Sequence, residues 1–390
     1  MSPDHPLSSN QPAPRVLHVF PTFVPAGRET RAAALINAFG ARWRHEIVAL
    51  DGRVEALELV RDRSLVTVRA APVPAQHSGS AWSTLRAWRA YLKAAKPDLV
   101  LTYNWGAFDA VLAARSMGLP LVHHEDGFNS DEATHQLQRR VWARRLALRN
   151  TPLIVPSRRL QTIALTEWKL RPQCVHHIDN GIELARYQAR DGAAELRRRY
   201  GIPAQALLVG WLGHLRPVKN PRRFLAALAR VDAELQTWAL VIGDGPERAA
   251  CEELVARTHT LQGRVVFTGH QSDPVPLLRA LDVLCMSSDS EQMPIALVEA
   301  MASGLPVAAT AVGDIRSMLG ADQEPYVVEL SEHETAWPLA EALQALLADP
   351  ELRARLGTQN RQQALQRYDL ATMAAAHEAV WRSAIYRPQA

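Results

Sequence analysis

Cysteine is scarce in this chain. Three occur among 390 residues, Cys174, Cys251 and Cys285, far apart and without C-x-x-C spacing. That argues against a disulfide framework or a zinc site and fits a reducing cytoplasm. Cys285, inside the apolar run from Leu281 to Met286, reads as core. Long hydrophobic runs are missing too. The nearest candidate for a membrane span, Ile295 to Gly313, is interrupted by Glu299, Gly304 and Pro306 and reads better as helix, turn and strand. The first residues carry neither a cationic stretch nor an apolar one, so no secretory signal is expected; residues 1–15 read as a disordered tail. After the first strand, Pro21 to Thr30 lacks the G-x-G-x-x-G turn that a nicotinamide dehydrogenase needs. No metal-ligand cluster and no short-period repeat stands out. A net charge of +4 favours acidic partners only weakly, and without a recognisable reading module a nucleic-acid partner is not expected.

What is present is alternation. Short apolar strands at Val16–Phe20, Glu46–Leu50, Asp98–Tyr103, Leu119–His123 and Leu153–Pro156 are separated by helical stretches. After a turn-rich linker near Asp179-Asn-Gly-Ile182, a second series begins at Leu207–Leu212 and runs through Trp238–Ile242, Val265–Thr268, Val283–Met286, Val307–Thr310 and Tyr326–Leu330. Such alternation makes parallel sheets covered on both faces. The fold class is therefore α/β, with two Rossmann-like doubly wound domains facing a cleft, the expected ligand site. The boundaries read as 16–182 for the N-terminal domain, 183–367 for the C-terminal one and 368–390 for a last helix crossing back to the first.

The stretch from Ser287 to Pro306 is the most informative. Pro294 suits a first helical position, Gly304 and Pro306 stop the helix, and Glu299 is the only charge on a helix otherwise apolar nearly all round. A carboxylate there either escapes to solvent on a narrow face or is held for a polar ligand, because burying it unpaired is costly. Gly210 to Asn220 follows a strand and precedes a helix, with Gly213, Arg216 and Lys219 suited to a diphosphate; taken alone it also reads as an ordinary basic surface loop. Gly243 ends another strand, at the edge where doubly wound sheets bind ligands.

Together these elements resemble the family 4 retaining glycosyltransferases of the GT-B fold. The family's E-x7-E pair is present as Glu291 and Glu299, the second opening Glu-Ala-Met-Ala-x-Gly-x-Pro-Val; its G-R-L-x-x-x-K element appears as Gly213 to Lys219; Val312 to Arg316 looks like its V-G-G-x-x-E turn; Asn180-Gly181-Ile182 matches its interdomain turn. The resemblance implies that Glu299 holds the nucleotide ribose, that Glu291 contacts the donor sugar, and that backbone groups of Met293, Pro294 and Ile295 line the sugar and phosphates. Lys219 would neutralise the leaving diphosphate. The family's arginine is His214 here, with Arg216 two positions on; the usual glycines after Glu291 and Gly313 are Gln292 and Asp314. In the first half, Gly27 in Pro25-Ala-Gly-Arg-Glu29 resembles the glycine-rich donor loop, with a single glycine, and equally suits a plain strand-to-helix turn. The active-site histidine falls in Leu121 to Phe128, its register open between His123, His124 and Asp126. His124 is the catalytic candidate, with Asn104 and Asp126 on the acceptor side.

The implied activity is transfer of a sugar, with retention, from a nucleoside diphosphate sugar to a hydroxyl acceptor, a lipid-linked or growing glycan in cell-surface polysaccharide synthesis. The donor is a co-substrate, and no metal or other cofactor is implied. A nucleotide-sugar 2-epimerase of the same fold and a non-catalytic sugar-nucleotide-binding or membrane-docked scaffold are the alternatives. The expected helix Ala133–Asn150 carries Arg139, Arg140, Arg144 and Arg145. These read either as a solvated face or as a contact with anionic membrane, which would place a cytoplasmic protein peripherally at the inner face.

Overall fold

The central strand β1 (Arg15–Phe20) buries every residue after its first, as a strand covered on both faces must. A computed structural model describes residues 12–73, 80–128, 132, 135–188, 192–331 and 336–386. The first eleven residues of the expected tail, and Ala133 and Thr134 of the expected basic helix, lie outside the described residues. Contacts divide the chain into two units. Unit 1 holds 1–155, 160–178 and 374–390, and unit 2 holds 156–159 and 179–373.

Unit 1 is built on a seven-stranded parallel sheet. Its strands are β1, β2 (Arg44–Ala49), β3 (Val66–Val68), β4 (Leu99–Tyr103), β5 (Leu121–His124), β6 (Leu153–Val155) and β7 (Val175–His177), in the order β3-β2-β1-β4-β5-β6-β7. Helices α1 (Gly27–Phe39), α2 (Ala81–Ala95), α3 (Phe108–Ser116), α4 (Gln138–Ala147) and most of α5 (Arg158–Thr166) connect them. The second helix shows why the sequence folds this way locally. Ser80 caps it by accepting the Ser83 N–H at 3.2 Å, and Thr84, Trp88 and Leu92 recur at four-residue spacing on its buried face.

Unit 2 carries a six-stranded parallel sheet of β8 (Leu207–Leu212), β9 (Thr237–Ile242), β10 (Val265–Gly269), β11 (Val283–Met286), β12 (Val307–Thr310) and β13 (Val327–Val328), ordered β10-β9-β8-β11-β12-β13. Its helices are α6 (Ala193–Arg199), α7 (Pro221–Leu228), α8 (Arg248–Arg257), α9 (Val275–Leu278), α10 (Ile295–Ala302), α11 (Ile315–Met318), α12 (Ala336–Ala348) and α13 (Pro350–Arg367). The last helix, α14 (Leu370–Tyr386), starts in unit 2 and continues in unit 1, where Trp381 is fully buried. All three cysteines are buried, and burial raises the thiol pKa of Cys285.

Several elements are shorter or shifted relative to expectation; the strand expected at Leu119–His123, for one, lies at Leu121–His124. The basic helix runs only from Gln138 to Ala147, because Leu148 leaves helical geometry. The last strand shrinks to Val327–Val328. Pro294 sits one place before the first helical residue, with ψ 124°. In each sheet the strand order reverses once, between β1 and β4 in unit 1 and between β8 and β11 in unit 2. The carboxyl ends flanking such reversals are where open α/β sheets take ligands.

Candidate functional site

At the reversal in unit 2, the loop after β8 brings Lys219 to the loop after β11. The Lys219 ammonium donates to both carboxylate oxygens of Glu291, at 2.5 and 2.7 Å, and the Ser288 hydroxyl adds a third bond at 2.7 Å. Glu291 is buried. Its loop is fastened on several sides. Asn180 donates its amide to the Met293 carbonyl at 2.9 Å. Asp314 N–H bonds the Gln292 carbonyl at 2.9 Å, and the Ser157 hydroxyl bonds the Gln292 side chain at 3.0 Å. The Asp314 carboxylate accepts the backbone N–H groups of Arg158 at 2.6 Å and Arg159 at 3.2 Å. Gly313 has φ +59°, and a Cβ there would strike the carbonyl oxygens of Glu291 and Gln292. Two of the departures from the family pattern, Gln292 and Asp314, are thus hydrogen-bonded where glycines would offer no side chain.

Glu299 follows on α10, whose first-turn N–H groups at Ile295 and Ala296 precede the first intrahelical bonds. Its carboxylate is half-buried and accepts the Tyr187 hydroxyl at 2.9 Å. Desolvation raises its pKa to about 7; the Tyr187 bond and the Arg186 charge pull the other way without cancelling it. The neighbouring carboxylate in turn raises the Tyr187 hydroxyl, after burial, far above its ordinary value. Tyr187 carried no signal in the sequence, because its partner Glu299 is more than a hundred positions away, whereas Ser288 bonds a carboxylate only three residues on.

The other expected donor residues line the same edge. Gly213 follows β8 directly, and Gly243, with φ +133°, approaches the Gly213 carbonyl so closely that only glycine fits. His214 and Arg216 face solvent; partial desolvation, then the Arg216 charge, keeps the His214 imidazole below its usual pKa.

Unit 1 arranges its residues differently. Gly27 opens α1, and a Cβ there would meet nothing within 4 Å, so sterics do not demand glycine. Asn104 follows β4 at φ +54° and ψ 179°, a conformation costing on the order of 1–3 kcal/mol outside glycine. Its side-chain oxygen accepts the Asp126 N–H at 2.8 Å, and Asp126 pairs with Arg31 of α1 at 2.9 Å. His124 is fully buried, stacked on Tyr103 at 4.6 Å and on His377 of α14 at 5.8 Å. Burial, then the charge of Arg31, holds its pKa well below neutral. Among the described residues neither of its ring nitrogens has a hydrogen-bond partner, so as placed it is an enclosed neutral imidazole. Its neighbour His123 is also fully buried, with Nδ1 2.8 Å from the Thr102 hydroxyl.

The arginine helix needs a correction. Arg140 and Arg144 do not face outward. Both pair with buried Glu132, at 3.0–3.1 Å, and Arg144 lies 5.0–5.5 Å from the rings of Trp105, Phe128 and Trp168. Although burial pushes Glu132 upward, hydrogen bonds from Arg144 and Arg140 leave its pKa below the usual carboxylate range. An interior ion-pair cluster cannot touch a membrane; Arg139 and Arg145 remain exposed. Among the described residues, no group of three or more His, Cys, Asp or Glu side chains is placed to hold a metal ion, and no helix is long and apolar enough to cross a membrane.

Comparison with known proteins follows the same division. Residues 25–186 match the family described as Glycosyltransferase Family 4, and 193–363 that described as Glycosyl transferases group 1. The chain is 31% identical to the 2-deoxystreptamine N-acetyl-D-glucosaminyltransferase of Streptomyces fradiae, over 78% of this chain and 81% of that protein. It is 28% identical to the N-acetyl-alpha-D-glucosaminyl L-malate synthase of Bacillus anthracis, a match spanning about half of each protein, 53%. The crystal structure of Anabaena HepE in complex with UDP and glucose shares the fold, with a TM-score of 0.80 at 22% identity, over 95% of this chain and 100% of that one. The chain belongs to the group 1, family 4 glycosyltransferases and has their two-domain GT-B fold.

Proposed function

We propose that this protein transfers a sugar, with retention at the anomeric carbon, from a nucleoside diphosphate sugar to a hydroxyl acceptor. The observation that carries the reading is the Lys219–Glu291 contact at the unit 2 strand reversal, eight residues before Glu299. Lys219 donates to both oxygens of Glu291 and so lies beside the group that would face developing positive charge. A diphosphate entering there meets Lys219, the exposed Arg216 and the opening turn of α10, all of which favour an anion. Glu299 accepts the ribose hydroxyls in place of the Tyr187 hydroxyl. That exchange replaces one hydrogen bond by others and avoids leaving the half-buried carboxylate unsatisfied.

In the transfer step the bond from the anomeric carbon to the leaving phosphate oxygen breaks, and a bond to the acceptor oxygen forms on the same face. The acceptor proton passes to that phosphate oxygen. Glu291 stabilises the positive charge at the anomeric carbon, and Lys219 with Arg216 the negative charge on the departing diphosphate; placed donors and charges of this kind are commonly the largest catalytic term. His124, enclosed and held neutral, is given no proton-transfer role; its contacts are the packed rings of Tyr103 and His377. Asn104 and Asp126 are assigned to the acceptor, read as a lipid-linked or growing glycan. The relatives' names point to other acceptors, 2-deoxystreptamine and L-malate, so acceptor choice belongs to each chain.

The test begins with thermal shift against uridine, guanosine and adenosine diphosphates and their sugars, UDP first because HepE binds it. One base is expected to raise the unfolding midpoint, after which the matching sugar donor is assayed for transfer and for the configuration of the product. A midpoint unmoved by every diphosphate and donor would overturn the reading.

A further inference from the structure

Helices α2, α3 and α4 lie side by side in unit 1. Arg89 of α2 donates to the Ser116 hydroxyl of α3 at 3.1 Å, and Arg115 of α3 to the Ala147 carbonyl at the end of α4. Their outward stripes share an unusual composition. On α2 the exposed residues Trp82, Arg86, Arg89 and Lys93 follow helical spacing along one face. On α4 the corresponding stripe is Arg139, Trp142, Arg145, Leu146 and Arg149 at its end. Neither helix contains an aspartate or glutamate, and α3 adds exposed Leu112 and Arg115 with a single acid, Asp109.

The apolar groups are large and uncovered: Trp82 is 81% exposed, Leu146 68% and Trp142 56%. Between α3 and α4, Leu112, Ala143, Leu146 and Ala147 with Arg115 line a surface depression of about 360 Å³. Exposed tryptophan alone would mean little. Trp337 of α12 is equally exposed, but it bonds Glu341 at 3.0 Å. What sets the unit 1 face apart is tryptophan and leucine set among cations with almost no acid.

We propose that this face docks on an anionic lipid bilayer. Arginine and lysine meet the negative headgroups, each adding roughly fivefold in affinity near the surface. Trp142, Leu146 and Trp82 enter the headgroup boundary, where an amphipathic ring is at home. A nucleic acid or an acidic protein would use the cations but give the leucines no comparable apolar medium. The inference does not depend on the transfer reaction: a protein with no sugar activity would still bind lipid through this face.

The test uses the full-length protein and sedimentation with vesicles of phosphatidylcholine, alone or mixed with phosphatidylglycerol. Binding to the mixed vesicles and not to the neutral ones is expected. Reversing three charges, Arg139→Glu, Arg145→Glu and Arg149→Glu, should weaken it by roughly a hundredfold or more. Trp142→Ser with Leu146→Ser should weaken it several-fold and leave the remainder more salt-sensitive, while Trp337→Ser changes nothing. All these positions are exposed, and an unchanged unfolding midpoint confirms that each variant folds. No partition onto phosphatidylglycerol vesicles would overturn the proposal. So would equal binding by the charge-reversed variant, or binding to heparin that matches the vesicles and ignores the Trp142→Ser, Leu146→Ser change. A wild-type dimer abolished by that same change would also overturn it, assigning the face to a second copy.

Discussion

Glu291 and Glu299 are eight positions apart in the sequence and are treated in opposite ways. Glu291, in the loop after β11, meets an ammonium and a hydroxyl. Glu299, on α10, meets a phenol and, among the described residues, no cation within hydrogen-bonding reach, and desolvation lifts its pKa to about 7. One carboxylate is paired with a cation; the other accepts a hydrogen bond from a neutral hydroxyl. A pair sharing acid–base work would be coupled to each other, whereas these two have separate partners. The contrast suits a division in which Glu291 serves the chemistry and Glu299 the nucleotide.

Substitutions should break this division in order of severity. Glu291→Ala is expected to lower the transfer rate by about 10²–10³-fold with little change in nucleotide affinity, read from kcat and from calorimetric Kd. Lys219→Ala should lower the rate comparably and also weaken diphosphate binding. Glu299→Ala should do the reverse of Glu291→Ala, weakening nucleotide binding by roughly ten- to a hundredfold, the worth of a charge-assisted hydrogen bond, with a smaller effect on saturated turnover. If both glutamate variants lost rate and affinity alike, the contrast would collapse.

The pH dependence sharpens the same comparison. A ribose held by ionised Glu299 requires the carboxylate to shed its proton, so nucleotide affinity should fall as pH drops below about 7 and level off above it. Calorimetry in buffers of different ionisation heat should register proton release near neutrality, and Glu299→Gln should abolish it. For folding stability the sign is opposite. A carboxylate raised from 4.5 to about 7 binds its proton more tightly in the folded state. Its contribution is therefore full below about 4.5 and is lost as pH rises toward 7. Tyr187→Phe removes a hydrogen bond that lowers this pKa, so the midpoint should move upward, with a cost of about 1 kcal/mol. The smallest effect is expected from Asp314→Ala, which removes the acceptor for the Arg158 and Arg159 N–H groups. A loss of about 1 kcal/mol in stability, typical of a helix cap, should appear as a lowered unfolding midpoint.

The fold was legible because parallel strands buried on both faces must be short apolar runs. Val16 to Phe20 and Val283 to Met286 are such runs, and the structure places strands there. The two glutamates were legible from spacing and from the single charge in an apolar helix. What could not be read was direction. Arg140 and Arg144 look like their neighbours Arg139 and Arg145 in a run of basic residues, yet two turn inward because Glu132, Trp105, Phe128 and Trp168 wait for them from other parts of the chain. Burying an arginine is tolerable only where such partners converge, and convergence is a tertiary fact. Tyr187 was hidden for the same reason, lying over a hundred positions from Glu299. The enclosure of His124 also escaped the sequence, since its stacking partner His377 comes from the last helix.

The fastening of the donor loop bears on protein engineering. Ser157, Asn180, Gly313 and Asp314 each secure the stretch from Glu291 to Met293. Four stretches of chain thus behave as one transplantable cassette. A graft that carries over only a relative's E-x7-E segment, with glycine in place of Gln292, would arrive without its Ser157 fastening and leave Asp314 facing a foreign backbone. If Glu291 has the proposed role, exchanging all four stretches together would alter sugar choice without loosening that carboxylate.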